Sequence, residues 1–386
     1  MKYWKSGPVK LATDELRKAV AGKRIALMMN TSAIDNEGRL LVDVMSKEKW
    51  AKEIVFFMGM EHGVRGNLYA SHGDTSDVDE MTGIKIESLY QFPGGVPSPE
   101  LCSRVEAVVF CAQDVGVRHW TYTPWMMRLM DSCAQVGTEV IVLDRPNPIR
   151  GDIVEGAPGE KYVAEHLISG FEYPLRHGMT IGELALMYND VKKIGAKLTV
   201  LKMEGWKRNM WYNETGLVWA PPSPNIPTMD SPLYFAATGL MQSGNFSLAH
   251  GTPTPFQYFG RPDVSGQAIA DELNSRDLPG IYFIPKFYMS RFGGDMQLCD
   301  GVLMVINDRD AWRPVHTQLN IMDTLAKLYP DIYDPEASPK YARPRMNTDK
   351  ICDAIANKQS LKPVMDEWIE KAKEFEDARK PYLLYE

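Results

Sequence analysis

A chain of 386 residues has room for two domains, and at 44% hydrophobic and 24% charged it has the composition of an ordinary globular protein with ample material for a core. Its net charge of -7 argues against non-specific nucleic-acid binding, which needs a basic face. Five cysteines, at 102, 111, 133, 299 and 352, show no CxxC spacing, which disfavours a disulfide framework and points to a reducing compartment.

The first residues, Met1 to Pro8, are basic in flavour, but no apolar signal-peptide core follows, and no apolar run is long enough to span a membrane. As the chain stands it reads as cytoplasmic; a trimmed form of a periplasmic or secreted protein would read the same way. A short helix is expected over Thr13 to Ala21, with Thr13 as its cap. Arg24 to Met29 is a continuous apolar run, the signature of a buried parallel strand, and it ends in Asn30-Thr31-Ser32. Leu40 to Lys52 reads as an amphipathic helix leading into a second apolar strand, Ile54 to Gly59. Immediately after that strand stand Glu61, His62 and Arg65, spaced by glycines. Residues 67–83 form a long polar stretch containing His72, Asp74, Asp77 and Asp79, read as a loop over the site.

A short strand at 84–86 is followed by a clearer one at Ala107 to Cys111, which stops at Gln113-Asp114 with Arg118 and Tyr122 beyond. A helix from Pro124 to Val136 leads to the strand Glu139 to Leu143, which ends in Asp144-Arg145-Pro146-Asn147-Pro148. Strands alternating with helices, each strand delivering polar residues at its carboxyl end, predict a parallel α/β sheet. In such a sheet, ligands lie just past the carboxyl ends of the strands. There is no G-x-G-x-x-G after the first strand and no P-loop, so the sequence implies no cofactor.

Past Gly151 the pattern changes. Thr180 with Glu183 predicts a capping box opening a helix over 181–189, preceded by Arg176-His177-Gly178. A strand is expected over Lys197 to Met203. The proline-dense run 220–227, which contains Asn225, reads as a connector, so the expected domains are 1–220 and 221–386. The second reads as α+β, with strands at 280–284 and 301–306 and helices at 267–274, 315–328 and 361–375.

Glu61 and His62 can be read as a charged strand end or as catalytic groups; flanking glycines and three sister strands with polar tips favour chemistry. Asp114 and Asp144 can each be a loop cap or a second carboxylate. Arg118 or Arg145 can hold a ligand carboxylate in a bidentate fork. The histidines at 62, 72, 119 and 177 match no zinc spacing, and there is no G-x-S-x-G elbow. Trp120, Trp125, Trp206, Trp211 and Trp219 suit either a core or a sugar platform.

Taken together, these motifs resemble the family of exo-β-N-acetylmuramidases (NamZ type). The resemblance runs through Glu61-His62-Gly63-Val64-Arg65-Gly66, Gln113-Asp114-Val115-Gly116-Val117-Arg118 and Leu143-Asp144-Arg145-Pro146-Asn147-Pro148. It continues through Arg176-His177-Gly178-Met179-Thr180, Pro222-Ser223-Pro224-Asn225-Ile226-Pro227 and Cys299-Asp300-Gly301-Val302. It implies a Rossmann-like parallel-sheet domain, a smaller α+β C-terminal domain, and a cleft between them. It also implies release of terminal N-acetylmuramic acid from the non-reducing end of peptidoglycan fragments, with Glu61 as the leading carboxylate. Against the family pattern, Gln242 and Leu248 stand where an acid is usual, His250 and Thr254 where an arginine is usual, and His72 in place of an acid.

The resulting reading is an exo-acting glycoside hydrolase. Glu61 is its general acid, and Asp114, Asp144 or the substrate's 2-acetamido oxygen is its second group. Asn30, His62, Arg65, Arg118, Tyr122, Arg145, Asn147, His177 and Asn225 are expected to bind a sugar or muropeptide; no nucleic acid, membrane or metal partner is expected. The rival readings are a metal-dependent hydrolase built on His62, His72, Asp74 and His177, and a non-catalytic cell-wall-sugar-binding protein.

Overall fold

The computed structural model describes residues 7–68, 77–160 and 171–386. Six strands form the first sheet: β1 (Arg24–Met29), β2 (Glu53–Gly59), β3 (Lys85–Ser88), β4 (Ala107–Cys111), β5 (Glu139–Leu143) and β6 (Leu198–Leu201). Their order is β3-β2-β1-β4-β5-β6, and every neighbouring pair is parallel. This is the doubly wound order, in which the direction of winding reverses between β1 and β4 and leaves a crevice at their carboxyl ends.

The strands are apolar on both faces because both faces are covered. Ala26, Met28, Phe56, Met58, Val108, Phe110, Val140 and Val142 point to one core. Ile25, Leu27, Met29, Phe57, Val109, Ile141 and Leu143 point to the other. The first core is continuous with Leu319, Met322 and Trp368 of the C-terminal half, so the two halves share apolar packing.

Several boundaries differ from expectation. Thr13 is the first residue of its helix (Thr13–Val20), with Ala12 at the cap position. The helix expected to reach Lys52 is Leu41–Lys47 and ends before Lys49, whose φ of 51° breaks the helical run and turns Trp50 inward. The helix after β4 begins at Tyr122, bringing that side chain to the rim of the sheet. The capping box forms as expected: Thr180 accepts from the Glu183 backbone N–H, and the Glu183 carboxylate accepts from that of Thr180. β6 lies at the edge of the main sheet, beside β5.

The second sheet is antiparallel, in the order β7-β9-β8, with β7 at Tyr258–Arg261, β8 at Ile281–Phe292 and β9 at Asp295–Ile306. β8 and β9 form a long hairpin turned by Gly293-Gly294, both at positive φ. The sequence marks only the buried inner halves of these strands. The outer halves expose Phe287, Met289, Met296 and Leu298, which blurs the alternation. Helices Gly266–Asn274, Pro314–Leu328, Pro339–Met346, Lys350–Ala356 and Lys362–Ala378 complete this half. The chain end returns to the first sheet: the Leu384 N–H donates to Glu183 and the Tyr385 hydroxyl to Asp144.

Candidate active site

Asn30, Glu61, Gln113 and Asp144 all follow carboxyl ends of parallel strands, as expected, but their environments differ. Asn30 is buried; its side-chain carbonyl accepts from the Ser32 N–H and hydroxyl, and its amide donates to the Tyr122 hydroxyl at 2.5 Å. The Tyr122 hydroxyl in turn donates to the Pro222 carbonyl at 2.5 Å. This node ties β1, the helix after β4 and the proline connector together at the floor of the cleft.

Glu61 sits above that node in a tight turn. His62 has φ 70°, an uncommon conformation for a non-glycine residue. Gly66, at φ 68°, passes so close to Thr31 that a Cβ there would stand 2.6 Å from its Oγ1. The Glu61 carboxylate is half-buried and accepts a 2.7 Å hydrogen bond from the Thr121 hydroxyl, which fixes its direction. The Tyr90 and Tyr122 phenols face the same carboxylate, and burial together with its charge pushes both pKa values up. His62 is buried, and its Nδ1 donates to the Leu68 carbonyl at 3.0 Å, which leaves Nε2 as the acceptor of the neutral ring. A hollow of about 250 Å³ lies between Thr31, His62, Gly66 and the 220–224 connector.

The other expected site residues are enclosed. Asp144 is fully buried and accepts from the Thr180 hydroxyl (2.7 Å), the Tyr385 hydroxyl (2.6 Å), the Gly182 N–H (2.8 Å) and the Arg145 N–H (3.0 Å). Burial pushes its pKa up despite those donors. It fastens the Ile181–Val191 helix and the chain end to β5. Asp114 is also buried; it accepts from the Gly116 N–H (2.7 Å) and the Thr123 hydroxyl (3.2 Å), and His177 Nε2 lies 3.3 Å away. His177 Nδ1 accepts from the Met179 N–H, which puts the ring proton on Nε2, facing Asp114.

The three arginines expected to grip a ligand are committed elsewhere. Arg118 donates to the carbonyls of Ala157, Tyr173 and Met346, each at 2.9 Å, and burial brings its pKa down to about 10. Arg145 spans Gln113 and the Ile34 carbonyl. Arg65 forms a bidentate pair with Asp79, both bonds 2.7 Å, and a third contact to Asp43 at 2.8 Å. Asn147 braces the loop after β5 through Met179 and Ile149. Asn225, half-buried, bonds through its backbone to Ser223. The tryptophans split toward the core reading: Trp125, Trp206 and Trp211 are buried, and Trp120 packs edge-on against Tyr122.

Sequence reasoning marked Gln242, Leu248, His250 and Thr254 of the C-terminal half as departures from the family pattern but did not show the buried aromatic seam beside them. Aromatic rings run without a break from His250 to Phe256 (4.9 Å), Phe235 (4.8 Å), His119 (4.4 Å from Phe235) and Trp120 (5.8 Å from Phe235), and on to Tyr122. Ala249 and Phe256, at φ 58° and 67°, bend the segment that carries His250. Arg345 reaches the same region from the Pro339–Met346 helix; its charge acts on both imidazoles and is itself acted on by Glu61. Burial keeps both rings neutral, with the pKa of His250 brought down to about 4. Leu248 is buried, and Gln242 and Thr254 are half-buried beside this segment.

Among the described residues, no group of three His, Cys, Asp or Glu side chains is arranged to hold a metal ion. His72 and Asp74 of the metal-hydrolase reading lie outside the described residues, as does much of the expected loop over the site. No helix among the described residues is long and apolar enough to cross a membrane.

Two family models match the chain, one in each half. Residues 25–230 match the family model of the N-terminal part of exo-β-N-acetylmuramidase NamZ, and residues 233–385 match its C-terminal part. A peptidoglycan β-N-acetylmuramidase NamZ from Bacillus subtilis (strain 168) is 35% identical over 372 residues, covering 96% of this chain and 89% of that protein. Two crystal structures of DUF1343 family proteins from Bacteroides fragilis NCTC 9343 each cover 98% of this chain and 99% of their own. One has a TM-score of 0.88 at 31% identity, the other 0.76 at 25%. With both halves matched and a relative at that identity, this chain belongs to the NamZ family of exo-β-N-acetylmuramidases.

Proposed function

We propose that this glycoside hydrolase releases terminal N-acetylmuramic acid from the non-reducing end of peptidoglycan fragments. In this reading Glu61 is the proton donor and the sugar's own 2-acetamido oxygen is the attacking group. The observation that carries the division of labour is the contrast among the three rim carboxylates. Asp114 is buried and bonded within its own loop and by Thr123, Asp144 is buried and bonded to Thr180, Gly182 and Tyr385, while Glu61 is half-buried and oriented by Thr121.

A glycosidase needs an acid on the leaving oxygen and a second group at the anomeric carbon. With neither rim aspartate presented to a ligand, the 2-acetamido carbonyl, held within its own molecule close to C1, fills the second role. Its oxygen bonds to C1 as the C1–O glycosidic bond breaks, and the Glu61 proton passes to the departing oxygen. Water then adds to C1 of the resulting oxazolinium ion, the ring C1–O bond opens, and the water's proton returns to Glu61. Each step inverts C1: the acetamido oxygen attacks the α face as the aglycone leaves the β face, and water enters the β face as the oxazolinium C1–O bond opens, so the sugar is released with its β configuration retained.

The test uses aryl β-glycosides of N-acetylmuramic acid. Glu61→Gln should lose turnover by roughly 10²- to 10⁴-fold while still binding the sugar. The loss should be smaller for an aryl group that leaves without protonation. Proton NMR of the first product should show the β anomer; the α anomer would reject the acetamido pathway, and unchanged turnover in the Gln variant would reject Glu61 as the acid.

A further inference from the structure

We infer that Arg345 recognises the anionic lactyl substituent of the sugar, reaching into the cleft from the C-terminal half. The inference rests on the muramidase reading above and names a binding group within that site.

The argument begins with the other cations. A muramic acid ring carries a carboxylate, and a guanidinium fork is the side chain whose geometry matches one. Arg65, Arg118 and Arg145 all flank the carboxyl edge of the sheet, and each is committed: Arg65 to two carboxylates, Arg118 to three backbone carbonyls, Arg145 to Gln113 and Ile34. Arg176 and Arg208, also buried, are paired with Glu155 and Glu183.

Arg345 differs. Its Nη1 donates to a neutral hydroxyl, Ser243 Oγ, at 2.6 Å, and among the described residues no carboxylate or backbone carbonyl accepts from its guanidinium; its Nε is shielded from water without a partner, as are those of Arg118 and Arg176, whose Nη groups are engaged. A shielded guanidinium donor without an acceptor is costly. The cost is recovered if an anion of the substrate completes the fork. Placement agrees. Ser243, which Arg345 bonds, ends the Gly239–Ser243 turn, and Gly239 of that turn lies against the His119 ring; the Glu61 carboxylate is near enough to act on the guanidinium. The imidazoles of His119 and His250 stand at either side of the Phe235–Phe256 pair. Arg345 is therefore the permanent positive charge in a wall otherwise made of aromatic rings and neutral imidazoles, and a single carboxylate matches it. The lactyl group is on C3 of the sugar, two carbons from C1. A cation near Glu61 but on the opposite domain suits a substituent at that separation.

The experiment measures dissociation constants of free N-acetylmuramic acid and N-acetylglucosamine, which differ only by the lactyl group, by titration calorimetry. The wild type, Arg345→Met, Arg345→Lys and Ser243→Ala are compared, with thermal melts confirming that each is folded. The wild type should prefer the acidic sugar. Arg345→Met should weaken N-acetylmuramic acid roughly 10- to 100-fold, the range of a charge-assisted pair, and leave N-acetylglucosamine unchanged, so that the preference disappears. Arg345→Lys should restore part of the preference, and Ser243→Ala should lower it modestly. If the preference persists in Arg345→Met, or both sugars weaken equally, the inference is overturned. It is overturned as well if the wild type shows no preference. Hydrolysis of the aryl glycoside is followed separately: a wild type that binds with the expected preference and releases no aglycone would overturn the muramidase reading while leaving the role of Arg345 standing.

Discussion

Exchanging Asp144→Asn and Glu61→Gln in parallel separates structural from catalytic carboxylates. Asp144 has four donors converging on it, at 2.6 to 3.0 Å, in full burial. A hydrogen bond to an ionised acceptor contributes about twice a neutral one, roughly 1.5–3 against ~1 kcal/mol. Neutralising the acceptor therefore weakens each bond by about 0.5–1 kcal/mol, or about 2–4 in sum. Relief of the buried charge, which is what pushes the Asp144 pKa up, returns part of this, leaving a loss of about 2 kcal/mol. With an unfolding entropy of about 2.1 cal/mol/K per residue over a cooperative unit of ~200 residues, the melting temperature should fall by about 5 °C. Turnover per folded molecule should stay within about twofold, since the Asp144 oxygens are already claimed by four protein donors. Glu61→Gln should do the reverse, holding the melting temperature and losing turnover. Calorimetric melts and aryl-glycoside kinetics on both variants give the answer. An Asp144→Asn enzyme that melts normally and turns over slowly would refute this account of the rim.

Other outcomes follow from the same geometry. Gly239 lies against the His119 ring with no room for a Cβ, so Gly239→Ala should cost about 1–3 kcal/mol in a urea melt, and an unchanged midpoint would show that the seam yields freely. Tyr122→Phe removes the hydroxyl shared by Asn30 and Pro222; it should destabilise by about 1–2 kcal/mol and lower turnover, read from melts and kinetics together. The half-buried His250, its pKa brought down to about 4 by desolvation, sets a pH dependence. The unfolded chain binds a proton near pH 6.5 that the native ring resists until about pH 4, so stability is full above that window and falls as pH drops through it. His250→Gln should flatten the decline in urea midpoint between pH 6.5 and 4, and an equal slope in both proteins would contradict the assignment.

The main sheet was legible because its signal is local. β1, β4 and β5 are runs of apolar residues buried on both faces, and a run of four or five such residues bounded by polar ones can be read without knowing its neighbours. The capping box at Thr180 was legible for the same reason, since its partners lie three residues apart. The β8–β9 hairpin was half-hidden because exposed Phe287, Met289, Met296 and Leu298 break the alternation that marks a one-sided strand. Lys49, which stops a helix by adopting positive φ, carries no sequence mark at all, since neither glycine nor proline is present to announce it.

For the site, the limit was a matter of distance along the chain. Sequence reading groups residues that are neighbours in a motif, so Asp114 with Arg118, and Asp144 with Arg145, are candidates because they flank strand ends together. Their side chains are used up close to home or in clamping the two halves: Arg118 donates to Met346, and Asp144 accepts from Tyr385. Position past a parallel strand makes a polar residue available to a ligand only where its hydrogen-bonding capacity is not already claimed, and that condition is set by the partners each side chain finds in three dimensions. Arg345 shows the converse. It lies 284 positions beyond Glu61, in the run Ala342-Arg343-Pro344-Arg345, where no motif marks it, and its neighbour Arg343 is spent on Glu336 and Asp353. Two arginines two residues apart on one short helix point to different sides, one into an ion-pair cluster and one toward Ser243 and the cleft. The helix that presents them is placed by a core the two halves share, so the charge that faces the substrate is fixed by packing that no local pattern encodes.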